Sequence, residues 1–201
     1  QIPSPEEYID MLTKEIETLE QRRRKLKEAL EKLGFRVEDM MMTKDEVEKL
    51  LDALPEKCIL VLDEAYAEYV ENPSYPDSLQ YLDKPVLVAR TFSKLHGLAG
   101  LRVGYGVAHE SIIEYMNRVR QPFNVNALAQ VAANAALDDT EHQEMARRIN
   151  REGKKMLEEG LKALELDWLP TATNFIMVNV KNPSQEIFEK MLPKGVIVRA
   201  M

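Results

Sequence analysis

Three short apolar runs, in a chain that elsewhere carries helix-like stretches, constrain this chain more than any other feature. They are Cys58–Leu62, ending at Asp63; Pro85–Ala89, ending at Arg90-Thr91; and Arg102–Ala108, punctuated by Gly104 and Gly106. Apolar runs this short, bounded by turn residues, read as strands rather than helices. Continuous rather than alternating hydrophobicity marks strands buried on both faces, as in parallel sheets covered by helices. Strands alternating with helical stretches predict an α/β sheet with crossover helices.

The stretches that flank these runs carry helix signals of their own. Thr43 and Glu46 form a capping box that opens a helix with Val47, Leu50, Leu51 and Leu54 on one face, closing at Pro55. Ser111–Arg120 predicts another helix, broken by Gln121-Pro122-Phe123-Asn124. Ala127–Leu137 is a small-residue helix, and Glu141–Leu164 a long amphipathic one able to bridge two lobes. Beyond it, a strand over Asn174–Val180, a helix over Ser184–Leu192 and a strand over Val196–Arg199 describe a small α/β lobe.

At the other end, Ser4, Pro5 and Glu7 cap a helix in which Ile9, Leu12, Ile16, Leu19, Leu26, Leu30 and Leu33 recur at steps of three and four, with Arg23 interrupting and Gly34 closing it. This stripe fits a long helix covering the chain's own sheet better than a dimerising coiled coil. Phe35-Arg36-Val37 suggests a brief strand in the connector. The expected organisation is therefore an N-terminal helix and connector (1–42), a large domain (43–140) and a small domain (141–201).

Composition narrows the function classes. A formal net charge of −7 argues against a nucleic-acid partner, which needs clustered Lys and Arg. The one basic cluster, Arg22, Arg23, Arg24, Lys25 and Lys27, is interleaved with Glu and reads as a solvated helix face. Cys58 is the only cysteine, so no internal disulfide forms, and a thiol in a strand-like run fits a packing role in a reducing compartment. No apolar run is long enough to span a bilayer and no signal-peptide pattern is present, so the expected setting is cytoplasmic, without membrane contact.

The chemistry-bearing residues sit where the apolar runs end, the edge at which open α/β sheets place ligands. Asp63-Glu64-Ala65-Tyr66 follows the first run and Thr91-Phe92-Ser93-Lys94 the second, and a glycine-punctuated loop from Gly97 leads to Arg102. A pyridoxal-phosphate site demands these types: a lysine to form an imine, a carboxylate to keep the pyridine nitrogen protonated, and hydroxyls with a guanidinium for the phosphate dianion. Lys94, Asp63, Thr91, Ser93 and Arg102 supply each. Singly, each residue reads as an ordinary surface lysine or helix cap. Their joint occurrence at strand ends carries the reading. No metal is expected.

Longer motifs extend it: Val61-Leu62-Asp63-Glu64-Ala65-Tyr66, Arg90-Thr91-Phe92-Ser93-Lys94, Gly97 to Tyr105, Arg120 to Asn126, Thr173-Asn174-Phe175, and Gly195 to Arg199. On these, the stretch from about Thr43 to Arg199 resembles the fold-type I pyridoxal-phosphate aminotransferases and, within them, the histidinol-phosphate aminotransferase family. The resemblance implies an α/β large domain with a mixed sheet plus a small α/β lobe. It implies amino transfer between a small-molecule donor and a 2-oxo acid, 2-oxoglutarate, in a homodimer. It further implies that Lys94 forms the imine with pyridoxal 5'-phosphate and shuttles the substrate proton. Asp63 would partner the pyridine nitrogen, Tyr66 donate to the ring oxygen, and Thr91, Ser93 and Arg102 hold the phosphate. Asn174 and Arg199 correspond to positions near the substrate; as readily, they are a turn amide and a strand-end charge.

The family's glycine-containing phosphate loop, its ring-stacking aromatic and its Asn-Pro-x-x-Pro-Thr-Gly segment have no counterpart ahead of Thr43, and its carboxylate-binding arginine lies past the last residue, Met201. The resemblance thus implies a truncated large domain with an added N-terminal helix: a shortened, recombined, engineered or two-chain protein with impaired transfer. Two alternatives stand beside the enzyme: a catalytically inactive scaffold derived from that family, and a module pairing through the heptad helix.

Overall fold

The computed structural model describes Lys14 and residues 41–201. The heptad helix, the basic cluster and the Phe35–Val37 strand expected from the sequence lie outside the described residues. The chain divides into two compact units, Gln1–Asp39 and Met40–Met201, and every strand and helix that follows belongs to the second.

Helix α1 (Lys44–Asp52) begins with the capping box read from the sequence: the Thr43 amide donates to Glu46 Oε2 at 2.7 Å and the Glu46 amide to Thr43 Oγ1 at 3.4 Å. The backbone and hydroxyl bonds from Thr43 hold the Glu46 carboxyl below the usual carboxylate range. Strands β1 (Leu60–Asp63) and β2 (Val86–Thr91) pair in parallel, Leu60 opposite Val86 and Asp63 opposite Ala89. Strand β3 (Gly104–Ala108) runs antiparallel to β2, Leu87 opposite Ala108 and Thr91 opposite Gly104. The order is β1-β2-β3, a mixed sheet. Gly104 is required at its place, because a Cβ there would meet the Arg90 carbonyl oxygen at 2.7 Å.

Two apolar clusters hold this sheet. Val47, Tyr81, Val86 and Val88 pack on one face with Leu51, Leu60 and Leu62, joining α1 to the sheet. Phe92 and Val103 pack on Ala129 and Ala133, residues of a later helix, beyond the strand ends. Each fully buried Val or Phe here is worth about 1.5–3 kcal/mol. The other face of the sheet is open: Val61 is 55% exposed. The expectation that β1 is buried on both faces is therefore corrected. Its burial alternates, as in a strand covered on one side.

Three further helices follow: α2 (Glu110–Val119), capped by the His109 ring; α3 (Ala127–Asp138), capped by Asn126; and α4 (Thr140–Ala163), capped by Asp139. The chain then forms β4 (Asp167–Trp168) and β5 (Val178–Asn179), an antiparallel pair, and α5 (Ser184–Met191).

Three expectations fail here. The strand expected over Asn174–Val180 shrinks to Val178–Asn179, and Val196–Arg199 is not a strand, with Ile197 79% exposed. Apolar sequence makes a strand only where a neighbour supplies hydrogen bonds, and among the described residues no ladder reaches Val196–Arg199. Cys58 is exposed rather than packed, because it lies before β1 in a turn where its amide donates to the Pro55 carbonyl.

Helix α4 grips its surroundings through polar side chains. The His142 ring meets the Leu95 carbonyl at 3.1 Å, Arg147 donates to the Glu68 carbonyl at 2.9 Å, Asn150 to the Thr173 carbonyl at 3.2 Å, and Lys154 to the Thr171 carbonyl at 3.2 Å. Arg151 pairs with Glu71. One helix thus touches the loop after β2, the turn after β1 and the segment before β5.

Candidate functional site

The parallel pairing of β1 and β2 brings Asp63 and Thr91 to the same edge of the sheet, and alternation puts their side chains on its open face with Gly104 and Gly106. Asp63 is exposed; its Oδ1 accepts from the Ala65 amide at 3.1 Å, which turns the chain toward Tyr66. Thr91 Oγ1 accepts from the Ser93 amide at 3.1 Å, fixing the start of the lysine loop. The loop closes where the Phe92 amide donates to the Val103 carbonyl at 3.2 Å, so Ser93 and Arg102 leave this pair side by side. Gly97 turns it with φ +69°, packed against the His142 ring.

Lys94 is half-buried. Its Nζ lies 4.9 Å from the centroid of the Tyr66 ring, and among the described residues it makes no ion pair or hydrogen bond. Leu95, 1% exposed, anchors the backbone beside it. Arg102 is exposed in the left-handed region (φ 54°); one of its nitrogens donates to the Ala99 carbonyl at 2.8 Å, leaving the rest of the guanidinium open.

Asn174, though exposed, stands beside the Tyr69 phenol. Burial and the Glu68 carboxylate push that phenol up, while the Asn174 amide and the Lys94 ammonium pull it the other way. Phe175 meets Tyr66 edge-on with ring centroids 5.5 Å apart. Asn174 thereby joins the group around Lys94, Tyr66 and Tyr69. Arg199 is exposed in the non-strand tail, and among the described residues no contact ties it to this group.

The arrangement can do specific chemistry. A half-buried ammonium, an exposed carboxylate with one oxygen unbonded among the described residues, two hydroxyls and a guanidinium with one bond among them are the donor set that pyridoxal phosphate requires, and the residues present fit that group. A neighbouring cleft of about 1010 Å³ is lined by Phe92, Gly104, Tyr105, Arg120, Phe123 and Asn134 among others; it takes in part of the Gly97–Tyr105 and Arg120–Asn126 motifs but none of Asp63, Tyr66, Thr91, Ser93, Lys94, Arg102, Asn174 and Arg199.

Sequence reasoning missed Tyr69, Phe175 and the pair Glu64–Arg90. Tyr69 had a signal, three residues after Tyr66 on the same turn. Glu64 and Arg90 had one too, opposite charges at the ends of adjoining apolar strands. Glu64 is 3% exposed, and Arg90 Nε and Nη2 donate to its Oε2 at 2.9 and 2.8 Å. Burial works against the Arg90 charge, but bonding to Glu64 and the Tyr105 phenol holds its pKa above the ordinary value.

Comparison with known proteins gives consistent findings. The family model described as aminotransferase class I and II matches residues 40–201. Histidinol-phosphate aminotransferase 1 of Nitrosococcus oceani is 49% identical over 159 residues, covering 78% of this chain and 43% of that protein. Histidinol-phosphate aminotransferase of Moorella thermoacetica is 52% identical over 152 residues, covering 74% and 39%. Among solved structures, histidinol-phosphate aminotransferase from Sinorhizobium meliloti in complex with pyridoxal-5'-phosphate superposes with a TM-score of 0.74 at 30% identity, covering 79% of this chain and 45% of that one. Aspartate aminotransferase from Thermus thermophilus with maleate gives 0.67 at 26%, covering 78% and 44%. The chain spans less than half the length of each of these relatives.

Proposed function

The chain belongs to the aminotransferase class I and II family, and from that premise we propose that it takes pyridoxal 5'-phosphate at Lys94 and serves amino transfer of the histidinol-phosphate type, with 2-oxoglutarate as the 2-oxo acid. The observation that carries this is Lys94 itself, a half-buried ammonium with no counter-ion among the described residues, at the sheet edge that also presents Asp63 and Thr91.

In this reading Lys94 Nζ would hold the cofactor and would carry the proton to and from the substrate carbon. The bound cofactor supplies an electron sink for the charge left on that carbon. The other oxygen of Asp63 would face the ring nitrogen and favour its protonated form. The Tyr66 hydroxyl donates to the ring oxygen. Arg102 binds phosphate with its open guanidinium, aided by the Thr91 and Ser93 hydroxyls. Asn174 orients substrate from the far side, supported by its place beside Tyr69, and Arg199 is assigned to a substrate anion. The same reading carries a cytoplasmic homodimer divided into a large domain (43–140) and a small one (141–201).

The test is direct. Purified chain is mixed with pyridoxal phosphate, reduced with borohydride and mapped by peptide mass spectrometry. The expected result is a visible band and a cofactor fixed to the Lys94 peptide, both lost in Lys94→Ala. A label spread over exposed lysines, equal in the two proteins, would sink the assignment. Amino transfer from histidinol phosphate to 2-oxoglutarate then tests the substrate.

A further inference from the structure

Glu64 and Arg90 flank the site on its reverse side. The Glu64 amide donates to the Ala89 carbonyl at 2.8 Å, so the ladder runs one residue past Asp63. Alternation then sets Glu64 and Arg90 on the covered face, opposite the face that carries Asp63 and Thr91. The ion pair joins the two strand ends from behind, one residue from each emerging functional group. Tyr105, opposite Arg90 on β3, also interacts with the guanidinium, so the contacts span all three strands. The half-buried Tyr75 phenol interacts with the same carboxylate.

A buried ion pair is a poor way to gain stability, since well-packed apolar residues of like volume often do better. What it provides is geometry. Two nitrogens of one planar fork converge on a single oxygen, Oε2, a bond pattern that lysine cannot reproduce.

We infer that Glu64 and Arg90 are a positioning pair, a clasp that fixes the point where Asp63 leaves β1 relative to the point where Thr91–Lys94 leaves β2. The carboxylate and the amine are thereby presented at a set spacing before any ligand arrives. The inference rests on the reading of Lys94 as the cofactor-bearing lysine, and deepens it by naming what holds that lysine in place.

The test compares wild type, Glu64→Gln and Arg90→Lys at a temperature where circular dichroism shows all three folded. Amide hydrogen exchange is measured first, without cofactor. Exchange about tenfold faster at Glu64–Tyr66 and Phe92–Leu95, with Ala129–Ala133 unchanged, is expected from loss of one charge-assisted bond. No change, or a change shared evenly along the chain, overturns the clasp. Borohydride fixation at Lys94 is then measured at limiting pyridoxal phosphate. It is expected to slow about tenfold in both variants while fixation at exposed lysines stays constant. If wild type fixes nothing at Lys94 yet exchange responds locally, the cofactor reading fails and the clasp stands. If wild type takes the cofactor and the variants match it in both measurements, the clasp fails and the cofactor reading stands. Should Glu64→Gln not fold, Arg90→Lys carries the test, because it keeps the charge and removes only the fork.

Discussion

The three-stranded sheet and the β4–β5 region are held together by different means. The sheet is registered through four residue pairs on one side and five on the other, with two apolar clusters against it. The β4–β5 ladder has two pairs, and the only buried residue from Leu164 onward is Thr173. Helix α4 holds it through bonds from Asn150 and Lys154 to the carbonyls of Thr173 and Thr171, and Phe175 meets Tyr66 edge-on. Such a bond contributes about 0.5–1.5 kcal/mol net, against about 1.5–3 kcal/mol for each buried side chain of the sheet. The side presenting Lys94 is thus fixed by packing, whereas the side presenting Asn174 is fixed by bonds that can open singly. Firm placement of the lysine and adjustable placement of the residues facing it follow from that difference.

The contrast breaks most readily at Leu95. Leu95→Ala empties a fully buried position next to Lys94 and is expected to cost about 2–5 kcal/mol in denaturant unfolding. A cost below about 1 kcal/mol would mean that the loop is not held by packing. Asn150→Ala is expected to cost about 0.5–1.5 kcal/mol and to speed amide exchange at Thr173–Phe175 selectively. Trp168, the only tryptophan, lies in β4 and gives an optical signal for this region alone. Should Asn150→Ala lower the unfolding midpoint as far as Leu95→Ala, the two regions form one cooperative unit.

The smallest effect is one of pH and is absent near neutrality. Burial, with nearby carboxylates, pushes the Tyr75 and Tyr81 phenols above their ordinary value of 10.0. The fold favours their neutral form, so this stability is complete below pH 10.0 and is lost as pH rises through the raised values. Alkaline titration should show part of the phenolate absorbance appearing only together with unfolding, while Trp168 emission changes earlier. Simultaneous changes at ordinary phenol pH would remove the contrast.

Much of the sheet was legible because its signals are local. Cys58–Leu62, Pro85–Ala89 and Arg102–Ala108 overlap β1, β2 and β3, and the Thr43–Glu46 box opens α1 as read. The tail misled for the same reason: Val196–Arg199 has strand composition, but pairing depends on a partner that composition does not report. At the site, Lys94, Tyr66 and Asn174 were named and do gather. Asp63 and Thr91 share an edge, while Arg199 stands apart. Glu64 lay unread inside its motif because its partner is 26 positions away, a contact that only strand register creates. The grip of α4 was hidden too, since its amphipathic pattern says nothing about which carbonyls its polar face will meet.

Arg102 leaves the chain with a conflict of interest. Its backbone sits at φ 54° and ψ 53°, a conformation that costs a residue bearing a Cβ roughly 1–2 kcal/mol and glycine almost nothing. Glycine would relax the turn and remove the guanidinium in a single step. Selection for heat tolerance and selection for anion capture therefore pull this position in opposite directions. A screen that rewarded only thermal resistance would be drawn toward erasing the guanidinium to which the proposed function assigns the cofactor phosphate.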